Sequence, residues 1–307
     1  MTELLDLLRC PACGGTLARR DGSLVCEARH AYDLARAGYV NLLPPGKMKN
    51  ARAGDEAVMV RARTAFLSLG RYDPIDEALA DALCRLLPDG EAVVVDMGAG
   101  EGWHTCRTAE LLFEKRAAPV LALGFDASKY AAERGCALAR ARGHFSRCAL
   151  GSPREGDVTV ACLPGNIFHL PVADACASAA LSLFAPVPWA EAARVLAPGG
   201  ILAVVSAGRD HLIELRRELY DEVRTTEYLP APPEDSPLKL LERVPLAFSF
   251  AAESREELEN LFVMTPFYHK TGEDGRRRLA QRDGMRLTAS VNLSLFVLRG
   301  VTCSSAS

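Results

Sequence analysis

Three cysteines and a histidine near the start of the chain stand at metal-ligand spacing: Cys10-x2-Cys13, twelve residues, then Cys26-x3-His30. Thiols two residues apart form a tight knuckle whose backbone amides can stabilise thiolate sulfur. The twelve-residue gap GGTLARRDGSLV contains Asp21-Gly22, a two-residue hairpin signal, so a short hairpin is predicted to bring the second pair back beside the first. Four N and S donors suit tetrahedral Zn2+, and a site filled entirely by protein is structural rather than catalytic. A module of this size is too small to hold a core without its metal. The alternatives are unrelated cysteine pairs beside a surface histidine, or a redox Cys-x-x-Cys, which would require a βαβ setting that this stretch lacks.

A second constellation follows in EAVVVDMGAGEGWHT: a β-branched run ending at Asp96, then Gly98, Gly100 and Gly102, then a helix from Trp103. A dinucleotide fingerprint needs its third glycine where this chain has Trp103, and a phosphate-binding Walker loop needs Gly-Lys-Ser/Thr. The Asp-x-Gly-x-Gly-x-Gly form is similar to that of S-adenosylmethionine methyltransferases, where the loop lets backbone approach the amino-acid portion of the cofactor. Asp96 or Glu101 would address the cofactor's ammonium or sulfonium side. Asp126, at the end of VLALGFD, would bond the ribose hydroxyls, or would instead cap the helix SKYAAE. The block RVLAPGGILAVV strengthens the class assignment. Asn166, in NIFHLP, lies where such enzymes hold the adenine ring. Phe184 and Pro186, in SLFAP, would wall in an acceptor base or belong to the core.

The elements that must hold these residues alternate. Helices are expected in AVMVRARTAFLSLGRY and PIDEALADALCRLL. Strands are expected in VTVACL, SAALSLF and ILAVVSA, and a long helix over RDHLIELRRELYDEVRTTEYL. Strands alternating with helices imply βαβ units and a doubly wound, mostly parallel α/β sheet. The expected organisation is a zinc ribbon over 1–45, a linker with a helical lead-in over 46–88, and a catalytic domain over 89–307. PAPPEDSP is a linker or lid, and NLSLFVLRG an antiparallel strand at or near the sheet edge. No apolar run approaches the roughly 20 residues that span a bilayer, and the opening lacks signal-peptide features, so a cytoplasmic protein is expected. The other seven of the ten cysteines, from Cys84 to Cys303, are then free thiols acting as small hydrophobes. Net charge is -3, yet Arg19 to Arg63 carries nine Lys/Arg against five Asp/Glu. That asymmetry fits contact with a polyanion or an ordinary solvated surface.

Together these residues resemble the RlmA-type 23S rRNA (guanine-N1)-methyltransferases over about Cys10 to Gly300. The resemblance is carried by CPACG…CEARHAYDLARAGYVNLLP, GDEAVMVRARTAFLSLGRYDPI, DMGAGEGWHT, SLFAP, AGRDHLIEL and MTPFYHKT. Ala99 departs from it, since cysteine is common there. The resemblance implies zinc at Cys10, Cys13, Cys26 and His30. It also implies S-adenosylmethionine contacts at Tyr72, Gly100, Glu101 and His211, and a homodimer whose ribbons flank a basic cleft for a 23S rRNA hairpin. Lys47, Lys49 and Arg52 would meet phosphates, and Phe184 or Phe267 would stack on a flipped guanine. His269 is one candidate base for the guanine N1 proton, or a plain loop histidine. EDGRRRLAQR would add RNA contact or form a solvated helix. Two other classes remain: a small-molecule methyltransferase with a zinc-stabilised lid, and a catalytically silent zinc-ribbon RNA-binding protein.

Overall fold

The computed structural model describes residues 2–43, 56–144, 157–225 and 227–299. Lys47, Lys49, Arg52, the insertion GSPREGD up to Gly156, Cys148 and Cys303 lie outside the described residues. After α1 (Leu4–Leu7), a three-stranded antiparallel ribbon is formed by β1 (Leu17–Arg20), β2 (Ser23–Cys26) and β3 (Ala31–Asp33). Arg20 pairs with Ser23 across the Asp21-Gly22 turn, where Asp21 takes a φ of 51°. The expected hairpin is therefore present. The ribbon is seated on the rest of the chain. Arg9 N donates to Pro171 O at 2.8 Å, Ala173 N to Leu7 O at 2.8 Å, and Leu42 N to Pro164 O at 3.0 Å. Leu24, Val40 and Leu42 join one buried apolar cluster that continues through the main sheet.

Two lead-in helices, α2 (Ala57–Leu67) and α3 (Asp73–Leu86), precede β4 (Ala92–Met97), α4 (Trp103–Arg116), β5 (Val120–Asp126), α5 (Lys129–Ala141) and β6 (Val158–Pro164). The chain then returns to the other side of β4 through β7 (Ala177–Leu183), α6 (Trp189–Val195) and β8 (Leu196–Ala207). After α7 (Ile213–Leu219) come β9 (Leu238–Ala252), α8 (Arg255–Val263), α9 (Phe267–Lys270), α10 (Glu273–Leu279) and β10 (Met285–Leu298). The seven-stranded sheet has the order β6-β5-β4-β7-β8-β10-β9. Its first five strands are parallel, and β10 runs antiparallel to both neighbours. This is the doubly wound class I methyltransferase architecture. β4 is buried at every position because helices cover both faces of a parallel sheet. Chain direction reverses beside β4, which opens a crevice at the carboxyl ends of β4, β5 and β7.

Two expectations need correction. The long helix after Arg209 is only α7, seven residues, and Tyr220 is already extended at φ -129° and ψ 141°. Tertiary packing stops it: α10 crosses its end, Arg278 Nε donates to Glu218 O at 2.8 Å, and a Cβ on Gly275 would lie 2.2 Å from Leu219 O. The last carbonyls of α7 therefore meet α10 rather than another helical turn. The second correction is an addition, the fifteen-residue edge strand β9. It carries Pro245, which an edge position tolerates because no outer neighbour needs its N–H. The arginines of EDGRRRLAQR are engaged with the fold. Arg276 lies over the rings of Phe262 and Tyr268, and Arg278 pairs with Asp221.

Candidate functional site

In the ribbon, the ligand atoms of Cys10, Cys13, Cys26 and His30 all lie within 4.8 Å of one another. Cys13 Sγ is 3.7 Å from Cys26 Sγ, and His30 Nδ1 is 3.5 Å from Cys10 Sγ and 3.4 Å from Cys26 Sγ. A tetrahedron with Zn–S bonds of about 2.3 Å has edges near 3.8 Å, so the donor set fits zinc. Local backbone makes this possible. Gly14 N donates to Cys10 O at 2.7 Å to close the knuckle, and Arg29, at φ 65°, turns the chain so that Cys26 N donates to His30 O. Burial raises the Cys10 thiol, but the Tyr32 hydroxyl, 3.2 Å away, and the Ala12 and Cys13 amides outweigh it and bring it down to about 6. A thiol so disposed gives up its proton to a metal readily. Elsewhere burial pushes Cys106 up to about 12 and Cys136 and Cys176 to about 11, as expected of inert small hydrophobes.

The glycine loop joins β4 to α4. Gly98, Gly100 and Gly102 take φ values of 93°, 55° and 74°. A Cβ would lie 2.6 Å from Ala185 Cβ at Gly98 and 2.9 Å from an Arg63 guanidinium nitrogen at Gly100. At Gly102 it would lie 2.4 Å from Cys162 Sγ, so this glycine seats α4 against β6 and does not face the crevice. Asp126 Oδ2 accepts from Gly100 N at 3.0 Å and Oδ1 from Ser128 N at 2.8 Å. The helix cap is Ser128, whose hydroxyl accepts from Ala131 N, so Asp126 belongs to the loop and not to the cap. Asp96 lies beneath the loop and accepts from Thr105 Oγ1 at 2.6 Å, and burial pushes it up to about 6.

A cavity of 1160 Å³ opens above this loop. Typical ligand pockets reach about 1,000 Å³, so it can hold a nucleoside-sized cofactor and a base together. Tyr72, Gly98, Gly100, Glu101, Asp126, Asn166 and His211 line it; Asp96 and Gly102 stand behind its wall. Phe184, Pro186 and Phe267 also face it. His269 is exposed, lies outside the lining and sits 3.3 Å from Met59 Sδ. Phe184 adopts φ 54°, rare for a residue with a bulky side chain, and is held there by Phe184 N donating to Val205 O. Its ring is tilted 34° to His211 with centroids 5.7 Å apart.

Sequence reasoning missed two contributors. Arg63, on α2, pairs with the buried Glu101 at 2.6 Å and walls the cavity. His104 Nδ1 lies 2.7 Å from Asp76 Oδ1, a contact that raises His104 against the opposing effect of its burial. Glu101 is marked by its place in the glycine loop, but its partner Arg63 and the His104–Asp76 pair lie on helices with no local signal, and only tertiary contact reveals them.

Residues 8–52 match the zinc-ribbon domain described as "RlmA, N-terminal". A putative 23S rRNA (guanine-N(1)-)-methyltransferase of Micromonospora griseorubida is 38% identical over 230 residues, covering 69% of this chain and 70% of the relative. The chain belongs to the RlmA-type 23S rRNA (guanine-N1)-methyltransferase family. Another relative, the 23S rRNA (guanine(748)-N(1))-methyltransferase of Streptomyces fradiae, is 38% identical over 216 residues, 69% of this chain and 68% of its own. The putative 23S rRNA (guanine-N(1)-)-methyltransferase YxjB of Bacillus subtilis is 27% identical over 294 residues, 94% and 96% of the two chains. In this RlmA-type chain, then, ribbon and catalytic sheet form one connected unit.

His211 gives this site a pH signature. Burial lowers it from 6.5 to about 4, and Ser290 N donates to its Nδ1 at 3.3 Å. The ring proton therefore sits on Nε2, 3.3 Å from the Tyr72 hydroxyl. With the folded value depressed, the unfolded chain binds the extra proton first. The His211 contribution is whole above pH 6.5 and is lost as pH falls towards 4, by about 3 kcal/mol at most. Asp96, raised to about 6, acts in the opposite sense over its own range. His211→Gln is expected to lose less thermal stability than wild type between neutral pH and pH 5. Parallel melting curves for the two proteins would refute this.

Proposed function

We propose that the protein transfers a methyl group from S-adenosylmethionine to N1 of a guanine in a hairpin of 23S rRNA. The observation that carries this reading is a single cavity walled on one side by the glycine loop with Asp126 and on the other by Phe184 and Pro186. Gly98 and Gly100 admit the cofactor's amino-acid end, Asp126 takes its ribose and Asn166 borders its adenine. Glu101, braced by Arg63, supplies negative charge for the cofactor's cationic groups. Asp96 and Gly102 support the loop from behind. Bound S-adenosylmethionine supplies an electrophilic methyl on a sulfonium. A protonated histidine beside a sulfonium would repel it, and burial keeps His211 neutral there. Phe184 and Phe267 offer ring faces on which a flipped base stacks.

The ribbon over 1–45 docks the RNA, the 46–88 segment brings Arg63 and Tyr72 to the cavity, and 89–307 holds the cofactor and the chemistry. Among the described residues no helix is long and apolar enough to cross a membrane. A cytoplasmic location and a homodimer belong to the same reading. Exposed Leu240, Leu241 and Val244 on the edge strand β9 support the dimer by offering apolar surface for a second copy to cover; sedimentation equilibrium reads it directly. The deciding experiment is methyl transfer from labelled cofactor to unmodified 23S rRNA, followed by primer extension. One strong stop at a hairpin guanine is expected, because a methyl on N1 blocks Watson–Crick pairing. Cofactor binding without incorporation into rRNA would favour a small-molecule acceptor. Absence of cofactor binding would favour a silent RNA-binding protein.

A further inference from the structure

Guanine N1 carries a proton and is a poor nucleophile until that proton leaves, so the acceptor side of the cavity needs a base. Most acidic and imidazole groups on the wall are engaged. Asp126 accepts two backbone amides, Glu101 pairs with Arg63, His104 with Asp76, and His211 accepts from Ser290 N. Glu227 differs. It lines the same cavity from an exposed coil, and among the described residues no cation pairs with it. Its Oε1 is held by Asn292 Nδ2 at 2.8 Å, which leaves Oε2 for a ligand. Asn292 lies on β10 directly opposite Ser206 on β8. Ser206 is 7% exposed and lines the cavity, and its buried Oγ has no hydrogen-bond partner among the described residues. The next strand along, β7, ends beside Ser206 in the constrained Phe184, whose N–H donates to Val205 O at 2.9 Å. Phe184, Ser206, Asn292 and Glu227 thus stand side by side on the half of the crevice away from Asp126.

We infer that Glu227 is the catalytic base for the guanine, with Asn292 as its positioning residue and Ser206 as the hydrogen-bond donor to guanine O6. This rests on the proposed guanine-N1 methyl transfer. The chemistry fits the edge being read. Guanine presents N1–H and an N2 amine as donors beside O6, and a carboxylate accepts from both donors. As N1 loses its proton, charge spreads onto O6, where a fixed hydroxyl stabilises it. The step balances. The N1 proton passes to Glu227 Oε2 and the N1 electron pair forms the bond to the methyl carbon. The methyl–sulfur bond breaks with its pair left on sulfur, and the protonated Glu227 then releases its proton to water.

The test compares wild type, Glu227→Gln, Asn292→Ala and Ser206→Ala on unmodified 23S rRNA in single-turnover methyl transfer, from neutral to alkaline pH. Calorimetry with S-adenosylhomocysteine runs alongside. Glu227→Gln is expected to lose on the order of 10²–10⁴-fold in rate at neutral pH, the usual span for a lost general base. Its deficit should narrow as rising pH lets hydroxide take the N1 proton, while S-adenosylhomocysteine binds as in wild type. Asn292→Ala should show the same pH trend with a smaller loss, and Ser206→Ala a loss at every pH. A Glu227→Gln enzyme with the wild-type rate and profile overturns the assignment. So does a loss that is equal at every pH, or one explained by weakened S-adenosylhomocysteine binding. If wild type itself leaves no primer-extension stop at a guanine, the parent reading fails first, and that outcome is distinct from the other three.

Discussion

Cys26→Ser is expected to strip the ribbon of its metal and abolish rRNA methylation while leaving S-adenosylhomocysteine binding close to wild type. The ribbon's strands are four, four and three residues long. Only Leu17, Leu24 and Cys26 are buried within them, so the metal is the main support of the strands themselves, while Leu7, Leu8, Val40 and Leu42 anchor the two ends of the arm to the sheet. Structural zinc contributes about 10–16 kcal/mol to such modules, and losing one of four donors removes much of that. The cofactor half of the cavity draws its walls from residues beyond Met59, apart from Leu43 at the rim. It should therefore survive the loss of the ribbon. Metal content by mass spectrometry, calorimetry and methyl incorporation read the three consequences separately. Full methylation by the metal-free protein would remove the ribbon from substrate recognition.

The second large effect is expected at Gly98. Its φ of 93° is closed to residues with a Cβ, and that Cβ would lie 2.6 Å from Ala185 Cβ. Neither side can yield cheaply. Gly98 N is tied to Phe125 O at 2.8 Å, and the Phe184–Pro186 turn is tied through Phe184 N to Val205 O at 2.9 Å. Gly98→Ala therefore combines backbone strain of about 1–3 kcal/mol with an overpacked contact of similar size. It pushes the cofactor wall and the acceptor wall apart together. Cofactor affinity should fall on the order of 10²-fold, and methyl transfer further, because the base-stacking ring moves as well. Gly90 is the control: its φ is 98°, but a Cβ there would meet nothing within 4 Å, and it is remote from the cavity. Gly90→Ala should cost stability without changing cofactor affinity. Equal affinity losses in both variants would mean that general destabilisation, not loop geometry, is being measured.

The zinc donors were legible because their order is local. A knuckle, a two-residue turn and a second pair need no distant partner to come together. The glycine loop and Asp126 were legible for a similar reason, each sitting at the end of a strand whose apolar run is unmistakable. The length of α7 was not legible, because Gly275 and Arg278, nearly sixty residues on, decide where it stops. Nor was β9, whose apolar run is interrupted by Glu242, Arg243 and Pro245, residues that an edge strand tolerates and a central one does not.

What the sequence by itself determined is the set of donor atoms, the alternation of strands and helices, and the backbone freedom at Gly98, Gly100 and Gly102. Tertiary structure alone decided which side chains share one space. Arg63 reaches Glu101 across thirty-eight positions, and Tyr72 reaches His211 across 139. Asn292 meets Glu227 only because β10 lies antiparallel beside β8. The physical reason is range. Turns, caps and periodicity act within a few residues and are written in neighbouring letters. The burial that keeps His211 neutral, and the register that sets Ser206 opposite Asn292, arise only when distant segments pack.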